Sequence, residues 1–290
     1  MIQAISTSPT ANATGRTPRV LVFDSGVGGL SVLQEIRQQH RACKLFYSSD
    51  NAAFPYGTKS EDELIERVDK VLHQLQALSA ADMIVVACNT ASTIALPRIR
   101  ERFSQPVIGV VPAIKPAAKL STSKTIGLLA TPGTVRREYT NNLIQEFATH
   151  CQVIRVGSNE LVHLAERKLR GNPINPADLA PIVSEFQSYK ELDTMVLACT
   201  HFPLLKDELH AAMPHITHWV DSGEAIARRV GYWIEELGLS HTANYPPAEC
   251  TAYFTARGLC DNVESQDYLP ENSRQQFNIG HVEYLTITTP

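Results

Sequence analysis

Short apolar runs alternate with longer amphipathic ones along the chain. The runs RVLVF (19–23), KLFYSS (44–49), DMIVVAC (82–88), VIGVV (107–111), TIGLLA (125–130), CQVIRV (151–156), DTMVLAC (193–199) and ITHWV (216–220) are of strand length and nearly continuous in apolar character. A strand wetted on one face alternates, whereas one covered on both faces does not, so these runs predict buried strands of parallel sheets. Helix-like segments lie between them. In SEDELIERVDKVLHQLQALS (60–79), Ser60 and Glu63 have capping-box spacing, and Leu64, Val68, Val71, Leu75 and Leu78 fall on one face. Such alternation predicts an α/β fold.

The pattern also repeats. DMIVVACNT aligns without a gap on DTMVLACTH, setting Asp82 against Asp193 and Cys88 against Cys199, each ahead of a helix-like stretch. Upstream, VLVFDSGVGGL aligns loosely with TIGLLATPGTV, which sets Ser25 opposite Thr131. The expectation is therefore two similar α/β domains with mostly parallel sheets flanked by helices. An internal pseudo-repeat relates them, and the active site lies in the cleft between, beyond the carboxyl ends of the strands. VPAIKPAAKLSTSK (111–124) reads as the crossover and VDSGEA (220–225) as the return, giving a first domain of 19–113 plus 225–290 and a second of 114–224. After the return, GEAIARRVGYWIEELG reads as a helix and TAYFTA as a segment rejoining the first half; residues 1–18, rich in Ser, Thr and Ala, read as a disordered leader.

Composition narrows the chemistry. A chain of 290 residues that is 43% hydrophobic can bury a sizeable core and commonly splits into two domains. No run approaches a membrane span and no basic start precedes an apolar stretch, so a cytoplasmic protein without membrane contact is expected. A net charge of −4 without a basic stripe argues against nucleic acid and for a small polar substrate. The six cysteines stand singly, without a C-x-x-C pair, and read as free thiols rather than as a disulfide framework or zinc ribbon.

Cys43, Cys151, Cys250 and Cys260 read as small apolar packing residues. Cys88 and Cys199 differ, because each closes a strand, each has polar residues behind it, and both hold the same place in the repeat. Helix N-termini and the donors Asn89, Thr90, Thr200 and His201 are expected to lower the pKa of such thiols. Two thiols on opposite faces of one carbon can invert it, one taking a proton and the other returning one from the far side. Asp24, ahead of SGVGG, reads either as a local turn or cap or as a carboxylate at the site's mouth. Gly26, Gly28 and Gly29 lack the third glycine and the lysine of nucleotide loops, and the same tight turn suits a small carboxylate. Taken singly, PYG (55–57), His201 and Glu166 are ordinary: a chain reversal, a surface histidine and a carboxylate on a helix face.

Together, VFDSGVGGLSV, PYGTKS, ACNTAS and ACTHFPLL resemble, in order, spacing and context, the cofactor-independent glutamate racemases of the aspartate/glutamate racemase superfamily, from about residue 19 to about residue 225. The resemblance implies reversible interconversion of L-glutamate and D-glutamate, supplying D-glutamate for peptidoglycan without pyridoxal phosphate or a metal. It further implies that Cys88 works on the D-enantiomer and Cys199 on the L-enantiomer, with Asp24, His201 and Glu166 assisting. Ser25, Tyr56, Gly57, Asn89, Thr90 and Thr200, with Asp24 and His201, match substrate-binding positions. A homodimer and regulation by a cell-wall precursor are the partners it admits. Glu160 and His163 stand where the family commonly has prolines, which loosens the assignment of Glu166. The competing readings are a racemase of aspartate or another acidic amino acid, a redox or metal module built on Cys88, Cys199 and His201, and a binding protein that kept the fold without the chemistry.

Overall fold

The structure, a computed structural model, describes residues 15–240, 249–257 and 267–287. Cys260 and residues 1–14 of the expected leader lie outside them. Residues 16–18 of that leader are tied down: Arg16 donates to Asp82 Oδ2 (3.1 Å), and Pro18 O accepts from Lys44 N (2.8 Å).

Ten strands among the described residues form two sheets: β1 (Arg19–Asp24), β2 (Lys44–Ser49), β3 (Met83–Val86), β4 (Val107–Gly109), β5 (Thr125–Ala130), β6 (Gln152–Gly157), β7 (Thr194–Leu197), β8 (His218–Val220), β9 (Cys250–Phe254) and β10 (Ile279–Tyr284). Their orders are β10-β9-β2-β1-β3-β4 and β6-β5-β7-β8. Every neighbouring pair is parallel. The order β2-β1-β3-β4 recurs as β6-β5-β7-β8, so the sequence repeat is a repeat of topology, and the larger sheet is the same unit extended by β9 and β10.

Continuous apolar runs arise because the central strands are buried on both faces. In β1, Val20 and Val22 pack in one core while Leu21 and Phe23 pack in another, and all four are fully buried. In the second sheet, Met195 and Leu197 face one cluster, and Val196 with Ile126 and Leu128 faces the other. Each such side chain contributes roughly 1.5–3 kcal/mol of burial.

The helix expected over 60–79 runs Glu61–Ser79, with the Ser60 hydroxyl accepting from Glu63 N (3.3 Å). Only half of the capping box forms, because the Glu63 carboxylate turns to Lys59 Nζ (2.7 Å). Leu64, Val68, Val71 and Leu75 are buried as expected, together with Leu72, but Leu78 in the last turn is 45% exposed. The crossover contains a helix, Ile114–Leu120. The helix expected after the return spans Gly223–Glu236 and packs Ile226, Ala227, Val230 and Ile234 into the core of the larger sheet. Cys43 and Cys250 are buried packing residues, and Cys151 is half-buried.

Candidate active site

The repeated strand pairs end at a common cavity of about 90 Å³. From the first half it is lined by Asp24 and Ser25 at the end of β1, by Tyr56 and Gly57 in the loop after β2, and by Cys88, Asn89 and Thr90 after β3. From the second half come Cys199, Thr200 and His201 after β7. Both cysteines are nearly buried, at 6% and 7% exposure, and both border the same space.

Their surroundings differ. Cys88 precedes the helix Asn89–Arg102, and its sulfur lies 3.7 Å from Ser25 Oγ. Burial and the neighbouring Asp24 push its thiol well up, against the lowering donors Ala91 N–H and Ser25. The expected depression by the helix N-terminus is thus overridden, and Cys88 rests as a thiol, because removing the sulfur from water disfavours its charged form more than those donors favour it. Cys199 lies 3.8 Å from His201 Nδ1, and His201 Nε2 is 2.9 Å from Glu166 Oε1. Burial opposes a charge on His201, but its contacts with Cys199 and Glu166 outweigh that and hold the imidazole well above its usual range. The helix expected directly after Cys199 is delayed: a 3₁₀ turn, Phe202–Leu205, comes first and the α-helix starts at Lys206. Pro203 has no N–H with which to bond Cys199 O in an α-helical register.

Asp24 is fully buried, caps no helix among the described residues, and borders the cavity. Its Oδ1 accepts locally from Ser25 N (2.5 Å), while Oδ2 accepts from Thr200 Oγ1 (2.8 Å) across the cleft. Burial raises its pKa, with His201 and Thr200 pulling the other way. Tyr56 presents its ring to the cavity but commits its hydroxyl to Asp50 Oδ2 (2.6 Å), a buried carboxylate also held by Arg67 (2.6 and 2.8 Å) and Thr255 (2.7 Å).

Glu166 does not lie on a solvated helix face: it is buried, absent from the cavity wall, and stands behind His201. It is 2% exposed, and its Oε1 accepts from Val27 N (2.8 Å) while Oε2 accepts from Tyr268 OH (2.7 Å). Burial would raise its carboxyl, but the hydrogen bonds from His201, Val27 and Tyr268 hold it below the ordinary glutamate value.

The glycines serve this docking. A Cβ on Gly26 would come within 2.3 Å of Glu166 Oε1, and one on Gly28 within 2.4 Å of His201 Nδ1. The turn after β1 is bare so that groups from the second half can press against it.

Sequence reasoning missed Phe54, Thr58, Thr131, Asn159, Val162 and His163, which with Pro55 of the PYG turn complete the lining. Thr131 was visible as the repeat partner of Ser25. His163 was noticed only as a departure from prolines; its ring meets Phe54 edge-on at 5.8 Å, and Phe54 in turn lies 5.9 Å from His201. Among the described residues none of the lining side chains is Lys or Arg, so anionic groups must be met by N–H and O–H donors such as those at the start of Asn89–Arg102. Asn89 Oδ1 is buried without a partner among the described residues, an acceptor poised for an incoming N–H. Among the described residues no three His, Cys, Asp or Glu side chains form a metal-holding group.

Residues 20–230 match the family described as Asp/Glu/Hydantoin racemase. The chain belongs to this family. Within it, the chain is similar to the glutamate racemase of Pectobacterium carotovorum, 55% identical over 221 residues covering 76% of this chain and 78% of that one. It is also similar to the glutamate racemase of Klebsiella pneumoniae, 47% identical over 273 residues covering 93% and 94%. The solved structure of Escherichia coli glutamate racemase with L-glutamate and the activator UDP-MurNAc-ala superposes with a TM-score of 0.83 at 45% identity, over 94% of this chain and 99% of that one.

Proposed function

We propose that the chain is an isomerase interconverting L-glutamate and D-glutamate by a two-cysteine exchange of the Cα proton. The observation that carries this is the pair of sulfurs, one from each half, bordering a single cavity with unlike partners. With L-glutamate bound, the Cys199 thiolate takes the Cα proton and becomes a thiol, leaving the electron pair on a carbanion delocalised into the α-carboxylate. The Cys88 thiol then delivers its proton to the opposite face and is left as a thiolate; reaction of D-glutamate runs the same steps backwards. Cys88 resting as a thiol and Cys199 resting beside a cationic imidazole suit the L-to-D direction. Donors at the start of Asn89–Arg102 stabilise the charge that grows on the α-carboxylate, and Asn89 Oδ1 accepts from the ammonium. Burial of the pocket strengthens each of these contacts.

In the cell, such a product would supply D-glutamate to peptidoglycan in the cytoplasm. Among the described residues no helix is long and apolar enough to cross a membrane. Likeness to a protein solved with an activator supports regulation by a nucleotide-linked cell-wall precursor, tested by adding UDP-MurNAc-Ala to the assay. The homodimer belongs to the same proposal, and light scattering on the eluted protein measures it. So do the domain limits, 19–113 plus 225–290 and 114–224, which agree with the strand content of the two sheets.

The deciding experiment incubates the protein with L-glutamate in deuterated water and follows optical rotation with deuterium at Cα. Loss of rotation with matching label uptake is expected, and L-aspartate is run in parallel. Unchanged rotation and no label with either amino acid would remove the racemase reading.

A further inference from the structure

Glu166 touches His201 through one oxygen, and the second oxygen is held by a residue from a remote part of the chain. Tyr268 lies in the segment that leads into β10, is 4% exposed, and donates its hydroxyl to Glu166 Oε2 at 2.7 Å. Its ring stands 5.1 Å from that of Phe254 at the end of β9, and the Arg170 guanidinium lies 5.2 Å from its face. Tyr268 N donates to Tyr284 OH (3.1 Å), which in turn donates to Asp267 Oδ1 (3.1 Å). Two added strands and their connection thus end on the carboxylate that orients His201.

We propose that Tyr268 is a positioning residue for the reaction at Cys199, fixing the Glu166 carboxylate so that its other oxygen holds His201 against the sulfur. The inference rests on the racemase reading. Without the hydroxyl, Oε2 loses its 2.7 Å donor and keeps the more distant Arg170 Nη2 at 3.4 Å, and the carboxylate can rotate away from His201. The groups facing Glu166 are His201 from the strand end, Val27 N–H from the glycine turn, Arg170 on its own helix, Tyr268 from the C-terminal segment, and, through the field, Asp24 and Tyr47. Tyr268 is the neutral donor among them whose removal changes no charge. A hydrogen bond to the ionised form lowers a carboxyl pKa, so its loss raises the pKa, by about one unit for a bond to a charged group.

The test uses Tyr268→Phe in the full chain, which keeps the ring and removes only the hydroxyl. The acid limb of kcat/KM should move up by about one pH unit, with kcat falling several-fold at neutral pH and the melting temperature little changed. In the Glu166→Gln background the same substitution should add nothing, since both act through one contact. The ¹³C shift of the Glu166 carboxyl, titrated in wild type and Tyr268→Phe, should report the same upward move whether or not the protein turns over glutamate. Inactive wild type would therefore count against the racemase reading alone. An unmoved acid limb with an unmoved carboxyl titration, or an undiminished effect in Glu166→Gln, would overturn the role of Tyr268.

Discussion

Gly28→Ala tests whether the glycine turn exists to let the second half dock. Gly28 has helical dihedrals, φ −56° and ψ −39°, so the backbone accepts alanine, and on backbone grounds alone the change would stabilise by about 0.4–1 kcal/mol. Space opposes it. The new Cβ would lie 2.4 Å from His201 Nδ1 and 2.6 Å from Thr200 Oγ1, where ordinary contact begins at 3.4 Å, so the imidazole must retreat by about 1 Å. Overpacking of this kind costs roughly 1–3 kcal/mol, which exceeds the backbone gain. The net loss is a few degrees of melting temperature at most for a chain of this length. The effect on turnover is larger, because the retreat stretches the 3.8 Å approach of His201 to Cys199 and the 2.8 Å bond from Thr200 to Asp24 together. Misplacement by about 1 Å costs on the order of 10²-fold in rate. The assay is initial loss of rotation from each enantiomer beside a thermal melt. A variant with wild-type kcat would mean that the turn is not pressed against His201, and the reading of Gly26 and Gly28 would fall with it.

Cys88→Ala and Cys199→Ala should each lose at least about 10²–10⁴-fold in racemisation, the scale of a lost acid or base. In deuterated water Cys88→Ala should label L-glutamate only and Cys199→Ala D-glutamate only, because the remaining thiol faces one side of Cα; label entering both enantiomers in either variant would contradict two-sided attack. Arg67→Ala leaves the buried Asp50 carboxylate without its cation, and urea denaturation should show a loss of roughly 3–5 kcal/mol with KM raised as Tyr56 loosens. Asp193 is held well below the usual carboxylate range: burial would raise it, but bonds from Ser123 N, Ser121, Thr194 and Thr122 prevail. A depressed folded pKa contributes stability above the unfolded value of about 3.9 and loses it as pH falls towards the folded value. Asp193→Asn should therefore be destabilised at neutral pH, with the gap to wild type closing in acid; a gap independent of pH would refute the assignment.

All eight expected strands form; in the central ones burial on both faces leaves an apolar run that periodicity detects, and the edge strands β6 and β8, less buried, were still marked by theirs. β10 was invisible for the opposite reason: it is an edge strand whose central residues Gly280 and His281 are exposed, and no run marks it. Leu78 misled because apolar periodicity continued into the last turn, where Leu75 and Ser79 are buried and Leu78 is not. Cys88 and Cys199 were legible from the repeat, and Thr131 could have been read from it as well. Glu166 carried a usable sign, since it interrupts the buried stripe of Leu161, Val162, Ala165 and Leu169, and a carboxylate in such a stripe needs partners. Tyr268 carried none, because a lone tyrosine far along the chain reveals its contact only once the sheets are built.

The duplicated fold offers a symmetric pair of thiols, yet their settings are unlike. Cys88 meets a hydroxyl and a carboxylate, whereas Cys199 meets an imidazole backed by Glu166 and, behind that, by strands the second half lacks. A mirror-image pair of substrates has equal free energy in water, so the equilibrium constant is unity. The specificity constants in the two directions must then match, whatever the pocket does. Asymmetry can appear only in how kcat and KM divide, direction by direction. Under the proposed two-cysteine exchange, a protein resting with Cys88 protonated and Cys199 beside a cationic His201 is set for L-glutamate, and after one turnover it is left in the complementary state. It must return to rest between turnovers in the L-to-D direction, while a D-glutamate encountered first must await the converse transfer. If Tyr268 positions Glu166 as proposed, the extension of one sheet by β9 and β10 acts on the resting proton inventory of the site, leaving the overall equilibrium where the substrates' own symmetry sets it.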